Sequence, residues 1–372
     1  MKKVSLCATG VAMLFLFMAV AAFGDEGENS WLKNTDVEVS ATSVLQGSPG
    51  LTGSDSVVGA SLAFDLKVKT KLSKSGTAFM QFKDGYGNEE DGIDEVIPTF
   101  SLFNTATSKR EFRLGKIWYE HAFGDKARLR VGKIDMTTDF DANEAANDED
   151  DQFLSEIFVN NLALEFPDGN SFGTMLWISP NEFFDIGIGF ADAHDKWDDV
   201  FKSPFTILEI GFKPVIADRQ GNYRFYGWHN GKDHERLLSD EIGDDENYGF
   251  GLSADQEISE DVTLFARYGH QRGSVSELEH TWSFGVGISG RFLGREEDTL
   301  GLAYGQAVIG KDWKSFDPEN FDNEHRMEIY YRIKTNNYLS LTPNLQWVKN
   351  TYGVKDSNAW VFGLRANLHL HN

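Results

Sequence analysis

Val58-Gly59-Ala60-Ser61-Leu62-Ala63-Phe64-Asp65-Leu66-Lys67-Val68-Lys69 reads as a single two-faced strand. The even positions are Val58, Ala60, Leu62, Phe64, Leu66 and Val68; the odd ones are Gly59, Ser61, Ala63, Asp65, Lys67 and Lys69. Successive side chains of an extended chain point to opposite faces, so one face is greasy and the other wet. The pattern returns at Leu339, Leu341, Leu345 and Trp347 against Ser340, Thr342, Asn344 and Gln346. It closes the chain at Trp360, Phe362, Leu364, Ala366 and Leu368 against Gly363, Arg365, Asn367 and His369. Most such runs reach about 10 residues, the length a tilted strand needs to cross a bilayer. The spacing predicts an all-β, transmembrane antiparallel β-barrel.

The connections set the strand number. Short turns follow Leu72, Phe123, Ser179, Ile258 and Lys334, and long polar loops fall at 84–111, 135–169, 192–203, 231–245, 272–279, 310–322 and 349–356. Short and long connections alternate, as they do when one barrel end carries tight turns and the other extended loops. Asn161-Leu162-Ala163-Leu164-Glu165-Phe166 alternates like a strand. Counting it breaks the parity, so it is left in the loop, which gives about 16 strands, an even number as in most single-chain bacterial barrels. Both termini then lie on the periplasmic side with eight outward loops. The third, 135–169, is the longest and is expected to fold into the lumen.

Composition narrows the function. Glycine is plentiful at 36 and proline scarce at 8, which suits strands and turns. The mean hydropathy of −0.38 and the lack, after residue 24, of a run of about 18 apolar residues exclude a helical membrane protein. Lys2 and Lys3, the apolar stretch Val11 to Ala22 and the small-x-small site Ala22-Phe23-Gly24 read as a cleaved signal peptide, 1–24, followed by a barrel domain over 25–372. Loss of the two lysines takes the formal charge from −23 to −25, which argues against a nucleic-acid partner. Cys7 is the single cysteine and falls in the signal. The nine histidines form no His-x-x-x-His zinc spacing and sit in no catalytic motif, and no phosphate-binding glycine loop is present. An enzyme is not expected.

Several stretches carry a resemblance. Gly132-Lys133-Ile134-Asp135, Phe140-Asp141-Ala142-Asn143-Glu144, Ala146-Asn147-Asp148-Glu149, Gln152-Phe153-Leu154 and Val159-Asn160-Asn161 resemble the carbohydrate-selective porins of the OprB family. Ile117-Trp118-Tyr119-Glu120, Phe250-Gly251-Leu252-Ser253, Asp261 to Tyr268 and Gly301 to Gln306 match in the same order. The resemblance implies a sixteen-stranded outer-membrane pore admitting mono- and oligosaccharides by facilitated, passive diffusion. Its expected partners are carbohydrate solutes, outer-membrane lipid and lipopolysaccharide; a homotrimer is left open. The ending Leu368-His369-Leu370-His371-Asn372 departs from the terminal aromatic of many such barrels.

Candidate solute contacts follow from charge and register. Asp135, Asp139, Asp141, Glu144, Asp148, Glu149, Asp150 and Asp151 crowd the third loop, with Asn143 among them. In the lumen these carboxylates and the amide form a constriction that accepts hydrogen bonds from sugar hydroxyls; at the rim they are a solvated acidic loop. Carboxylates also ligate calcium, but their spacing matches no defined calcium loop and no cofactor is expected. Arg113, Arg130, Arg224, Arg267, Arg291, Arg326, Arg332 and Arg365 fall on the wet register of their strands. Facing lipid, each would cost about 2–4 kcal/mol near the midplane; inside, they oppose the acidic loop, as solute contacts or as wall ion pairs. Tyr226, Trp228 and Tyr330 share that register and offer flat faces to sugars, whereas Tyr338, Trp347 and Trp360 suit an interfacial girdle. The rival readings are a general or cation-preferring porin without a sugar site, and a sealed structural barrel.

Overall fold

The computed structural model describes residues 32–371 apart from 52–55, 88–91, 108–111, 168, 195–199 and 239–244. The expected signal peptide lies outside the described residues. The chain forms a closed barrel of sixteen antiparallel strands. The first half is β1 (Thr35–Ser48), β2 (Val57–Lys71), β3 (Gly76–Tyr86), β4 (Arg113–Phe123), β5 (Ala127–Ile134), β6 (Ser171–Asn181), β7 (Phe184–Asp192) and β8 (Pro204–Phe212). The second half is β9 (Arg219–His234), β10 (Asp245–Ser259), β11 (Val262–Gln271), β12 (Leu278–Ser289), β13 (Thr299–Ile309), β14 (Glu324–Lys334), β15 (Leu339–Lys349) and β16 (Asn358–His371). Val215–Ile216 carries β8 past a short break to pair with Arg219 and Gln220. Each strand pairs with the next, and β16 returns to β1 from Glu38↔His371 to Gly47↔Phe362. Closure leaves no sheet edge with unpaired backbone groups, the condition for crossing a bilayer with strands.

The alternation fixes which face is which. Along β14, Glu324, Arg326, Glu328 and Tyr330 are 1% exposed or less, while His325, Met327, Ile329 and Tyr331 lie on the other face. Along β8, buried Phe205, Ile207 and Glu209 alternate with Leu208 and Ile210, which are 48% and 47% exposed. Charged residues inside and leucines outside invert the order of a soluble protein. The outer apolar surface runs from strand to strand: Phe225 faces Leu252 across β9–β10, and Leu345 faces Phe362 across β15–β16. An apolar band of that extent is stable against lipid tails. Trp347 and Trp360 meet with ring centroids 6.3 Å apart near the long-loop ends of their strands, in girdle positions.

Connections alternate as the sequence suggests, with small boundary shifts: β3 runs on to Tyr86 and β9 to His234. Asn161–Phe166 adds no strand to the sheet. One expectation needs correction. Arg291 is not on a strand; it sits in the 3-10 turn Gly290–Leu293, exposed, where it pairs with Glu260 and Asp261 at 3.1 and 3.0 Å. Ser289 accepts from the Arg291 N–H and starts that turn, so the strand ends at Ser289, two residues before Arg291.

Candidate functional site

The segment 135–170, between β5 and β6, is held by side chains from most of the inward register. Asp135 accepts from the Thr137 N–H and opens a 3-10 turn, Met136–Thr138. The chain then bends at Asp141, whose φ of 57° lies in the left-handed region that aspartate tolerates better than most residues. The Asp141 N–H donates to Glu209 of β8 at 2.9 Å. Its carboxylate accepts from the Tyr226 hydroxyl of β9 at 3.0 Å and from the Asn161 N–H at 2.9 Å, and pairs with Arg267 of β11 at 3.2 Å. Arg267 also donates to the carbonyls of Phe158 and Asp141 at 2.6 and 2.9 Å. One buried guanidinium therefore staples two distant stretches of the segment.

The opposite wall repeats the device. Both oxygens of Glu328 (β14) accept backbone N–H bonds from Leu154 and Ser155, each at 2.8 Å. Arg365 (β16) donates to the carbonyls of Glu149 and Gln152 at 2.6 and 2.9 Å, and Thr42 (β1) donates to Asp150 at 2.7 Å. The preceding long connection joins in: Gln346 and Arg326 donate to the carbonyls of Phe103 and Ser101. Irregular backbone away from water needs partners for its polar groups, and these side chains supply them. Apolar packing completes the seat. Phe153, Ile157 and Phe158 lie against Phe265, Ala303 and Tyr330; Phe140 and Leu164 lie against Phe205, Ile207, Tyr226 and Trp228.

Where β2, β3 and β4 pass, the segment stands off and leaves a cavity of 330 Å³. Lys67, Lys83 and Lys116 line its strand side, one from each strand, and Asp135, Glu149 and Asp150 line the segment side. Lys116 reaches Asp135 at 2.9 Å, Lys67 pairs with Glu38 at 2.5 Å, and Lys83 stands 4.0 Å from Asp65. Burial raises the Asp135 carboxyl, but Lys116 beside it, together with Thr137 and Lys83, outweighs burial and holds it at about 2. Glu149 goes the other way: burial, then the charges of Asp150 and Asp148, push it up to about 7 against the pull of Lys83.

A second cavity, of 310 Å³, is lined among others by Arg128, Asp139, Glu144, Trp177 and Arg224. Asp139 bridges Arg128 at 3.0 Å and Arg130 at 2.6 Å, and Glu120 meets the same two guanidiniums at 3.2 and 2.8 Å. Arg130 lies 4.3 Å above the Trp118 ring, which stacks on Phe79 at 4.8 Å, and Arg128 lies 5.6 Å from Trp177.

The residues singled out from sequence divide between these settings. Asp139, Glu144 and Arg224 line the second cavity, Arg130 shares Asp139, and Asp150 lines the first. Arg224 is 3.2 Å from Asp255. Asp148 is exposed and caps the N–H groups of Asp150 and Asp151. Asp141, Asn143, Tyr226 and Trp228 are buried: Asn143 bonds to Ser253 and the Ala254 carbonyl, Tyr226 to Asp141, and Trp228 packs 6.5 Å from Phe205. Sequence reasoning passed over Lys67, Lys83, Lys116, Trp118 and Trp177. The signal was available, because Lys67 lies on the wet register of the opening strand, and Lys83 and Lys116 alternate with outward Phe82 and Ile117.

A family model described as the carbohydrate-selective porin, OprB family, matches residues 66–370. Among curated relatives, Porin AaxA of Chlamydia pneumoniae is 24% identical over 298 residues, 76% of this chain and 65% of that protein. Porin AaxA of Chlamydia muridarum is 24% identical over 253 residues, 66% of this chain and 52% of that protein. The chain thus spans between about half and two thirds of the curated relatives it matches. Among solved structures, Pseudomonas putida OprB at high pH superposes with a TM-score of 0.77 at 16% identity, covering 93% of this chain and 99% of that one. An anion-selective porin from Comamonas acidovorans superposes with a TM-score of 0.59 at 10% identity, over 90% and 99% of the two chains. These two likenesses are of fold.

Proposed function

The chain belongs to the OprB family of carbohydrate-selective porins, and from that premise we propose that neutral sugars, mono- and oligosaccharides, diffuse through it passively between the lysine wall and the acidic segment. It is an outer-membrane porin of that family. What carries the sugar reading is the cavity with Lys67, Lys83 and Lys116 on one side and Asp135, Glu149 and Asp150 on the other. A sugar hydroxyl both donates and accepts, so ammonium donors facing carboxylate acceptors satisfy both of its roles. Trp118 and Trp177, each beside an arginine, offer flat apolar faces to sugar C–H groups.

In this reading the segment 135–170 lies in the lumen and narrows it. Asp141, Asn143, Tyr226 and Trp228 hold the segment in place. Asp139, Glu144, Asp150, Arg130 and Arg224 meet the solute. Transport draws on no cofactor and no energy source; weak binding at several places lets a solute both enter and leave. The acidic balance of the chain disfavours anions and leaves neutral sugars and cations favoured. Residues 1–24 serve as the export signal.

Liposome swelling tests the proposal. Protein purified from outer membranes and placed in liposomes is expected to admit mono- and disaccharides faster than uncharged polyols of equal size, and Lys83→Ala with Glu149→Gln to narrow that difference. Swelling that depends on solute size alone would leave a general porin. No swelling with a heat-modifiable barrel would mean that the segment seals the pore.

A further inference from the structure

The outer face near the long-loop ends of β11 and β12 carries a second cluster of chemistry-bearing side chains. His270 and His280 are directly opposed across the two strands. Both point outward, because His270 alternates with buried Arg267, Gly269 and Gln271, and His280 with buried Thr281 and Ser283. Their Nδ1 atoms are 3.2 Å apart and their ring centroids 4.6 Å. The β12–β13 register shifts between Leu278 and His280, leaving Glu279 as an extra residue. Regular alternation would turn Glu279 away from His280; a bulge breaks that alternation and re-aims a side chain. The outcome is that one ligand atom from each of His270, Glu279 and His280 lies within 4.8 Å of the others. Among the described residues this is where three such side chains converge, and it lies on the opposite face of the wall from the acidic segment, whose Asn161 meets the inward Thr281.

We propose that His270, His280 and Glu279 bind a divalent transition-metal ion of the zinc class at the outer rim of the barrel. Two imidazole nitrogens at about 2.0–2.1 Å from a tetrahedral ion stand roughly 3.3 Å apart, which the Nδ1 pair already satisfies. Two nitrogens that face each other so closely need a proton or a cation between them. Two imidazoles and one carboxylate are a familiar zinc donor set, and the fourth position falls to water. The Tyr268 hydroxyl, 2.9 Å from His280 Nδ1, stands where such a water can be held or displaced. Phe250, with its ring centroid 5.3 Å from His270, covers one side of the pair. A bound ion would tie β11 to β12 beneath the loop that joins them.

The test uses protein purified from outer membranes in detergent, stripped with chelator and titrated with zinc against a chromophoric competitor. Wild type is expected to bind one zinc more than His270→Ala/His280→Ala, and cobalt in its place to give the strong visible absorption of a tetrahedral site. Glu279→Gln is expected to weaken zinc by more than the roughly 10–100-fold that even an outer-shell partner is worth. His325→Ala, also outward on β14, is expected to bind as wild type does. Heat-modifiable migration verifies that each variant folds. Equal zinc stoichiometry in wild type and the double histidine variant would overturn the proposal, as would a Glu279→Gln variant of unchanged affinity and cobalt spectrum.

Discussion

Two parts of the inner wall carry the same kinds of residue and put them to opposite uses. From β8 round to β16, Glu209, Arg267, Arg326, Glu328 and Arg365 are buried and bonded to the backbone of the long connections. From β2 to β5, Lys67, Lys83, Lys116, Arg128 and Arg130 keep part of their surface open, pair with other side chains, and stand beside cavities. Inward register alone therefore does not make a charge a solute contact. What separates the two walls is whether the side chain is buried against the backbone of a connection or meets a carboxylate beside a cavity.

The sharpest way to break this contrast is Arg267→Ala. It leaves the Asp141 carboxylate without its cation and two carbonyls without a donor, a loss of about 3–5 kcal/mol for a buried pair stripped of one partner. The ladder of strands should persist, so heat-modifiable migration is expected to survive while the segment 135–170 becomes protease-sensitive and single-channel current turns noisy. Quiet, wild-type current in that variant would show that the anchor is not needed. Glu328→Gln is next, at about 1–3 kcal/mol, because two buried N–H groups lose their shared charged acceptor; limited proteolysis should place it between wild type and Arg267→Ala. Lys83→Glu belongs to the open wall. A partly exposed pair is worth about 0–1 kcal/mol, so thermal unfolding should barely move while the reversal potential shifts toward cations.

The smallest effect is the pH dependence set by Glu149. With its carboxyl raised to about 7, the group is neutral in mild acid and anionic above that point. Cation preference is expected to increase between pH 6 and 8, and Glu149→Gln to flatten the rise. The docked segment holds that proton more tightly than an undocked one, so docking is firmest below the ordinary carboxylate range and weakens as pH climbs through about 7. A reversal potential that is level across this window in wild type would contradict the assignment.

These contrasts also mark how far the sequence can be read. Alternation such as Val58 to Lys69 makes the strands, their two faces and the barrel legible, because period two is a local property of the chain. Asn161–Phe166 shows the limit: it alternates, yet Asn161 is tied to Tyr226 and Thr281, and Glu165 to His234 and Asn247, by side chains and not by a ladder. Arg130 and Arg365 look alike in sequence. Their different roles depend on the path of a segment that crosses many strands, which no window of residues encodes. The lysines are as legible by register as the arginines, since Lys67, Lys83 and Lys116 share the inward face. The His270–Glu279–His280 group escapes any spacing rule, since one ligand comes from the neighbouring strand and another from a bulge.

The proposed path of the solute runs between the open lysine wall and the acidic segment. Single-channel recording of the purified protein in a planar bilayer, with graded neutral sugars added, tests it most directly. The expected result is saturable block by sugars in wild type, weakened in Lys83→Ala and Glu149→Gln and unchanged in the outward-facing Trp360→Ala. Open conductance without saturable block, or block of equal strength in all four proteins, would contradict it.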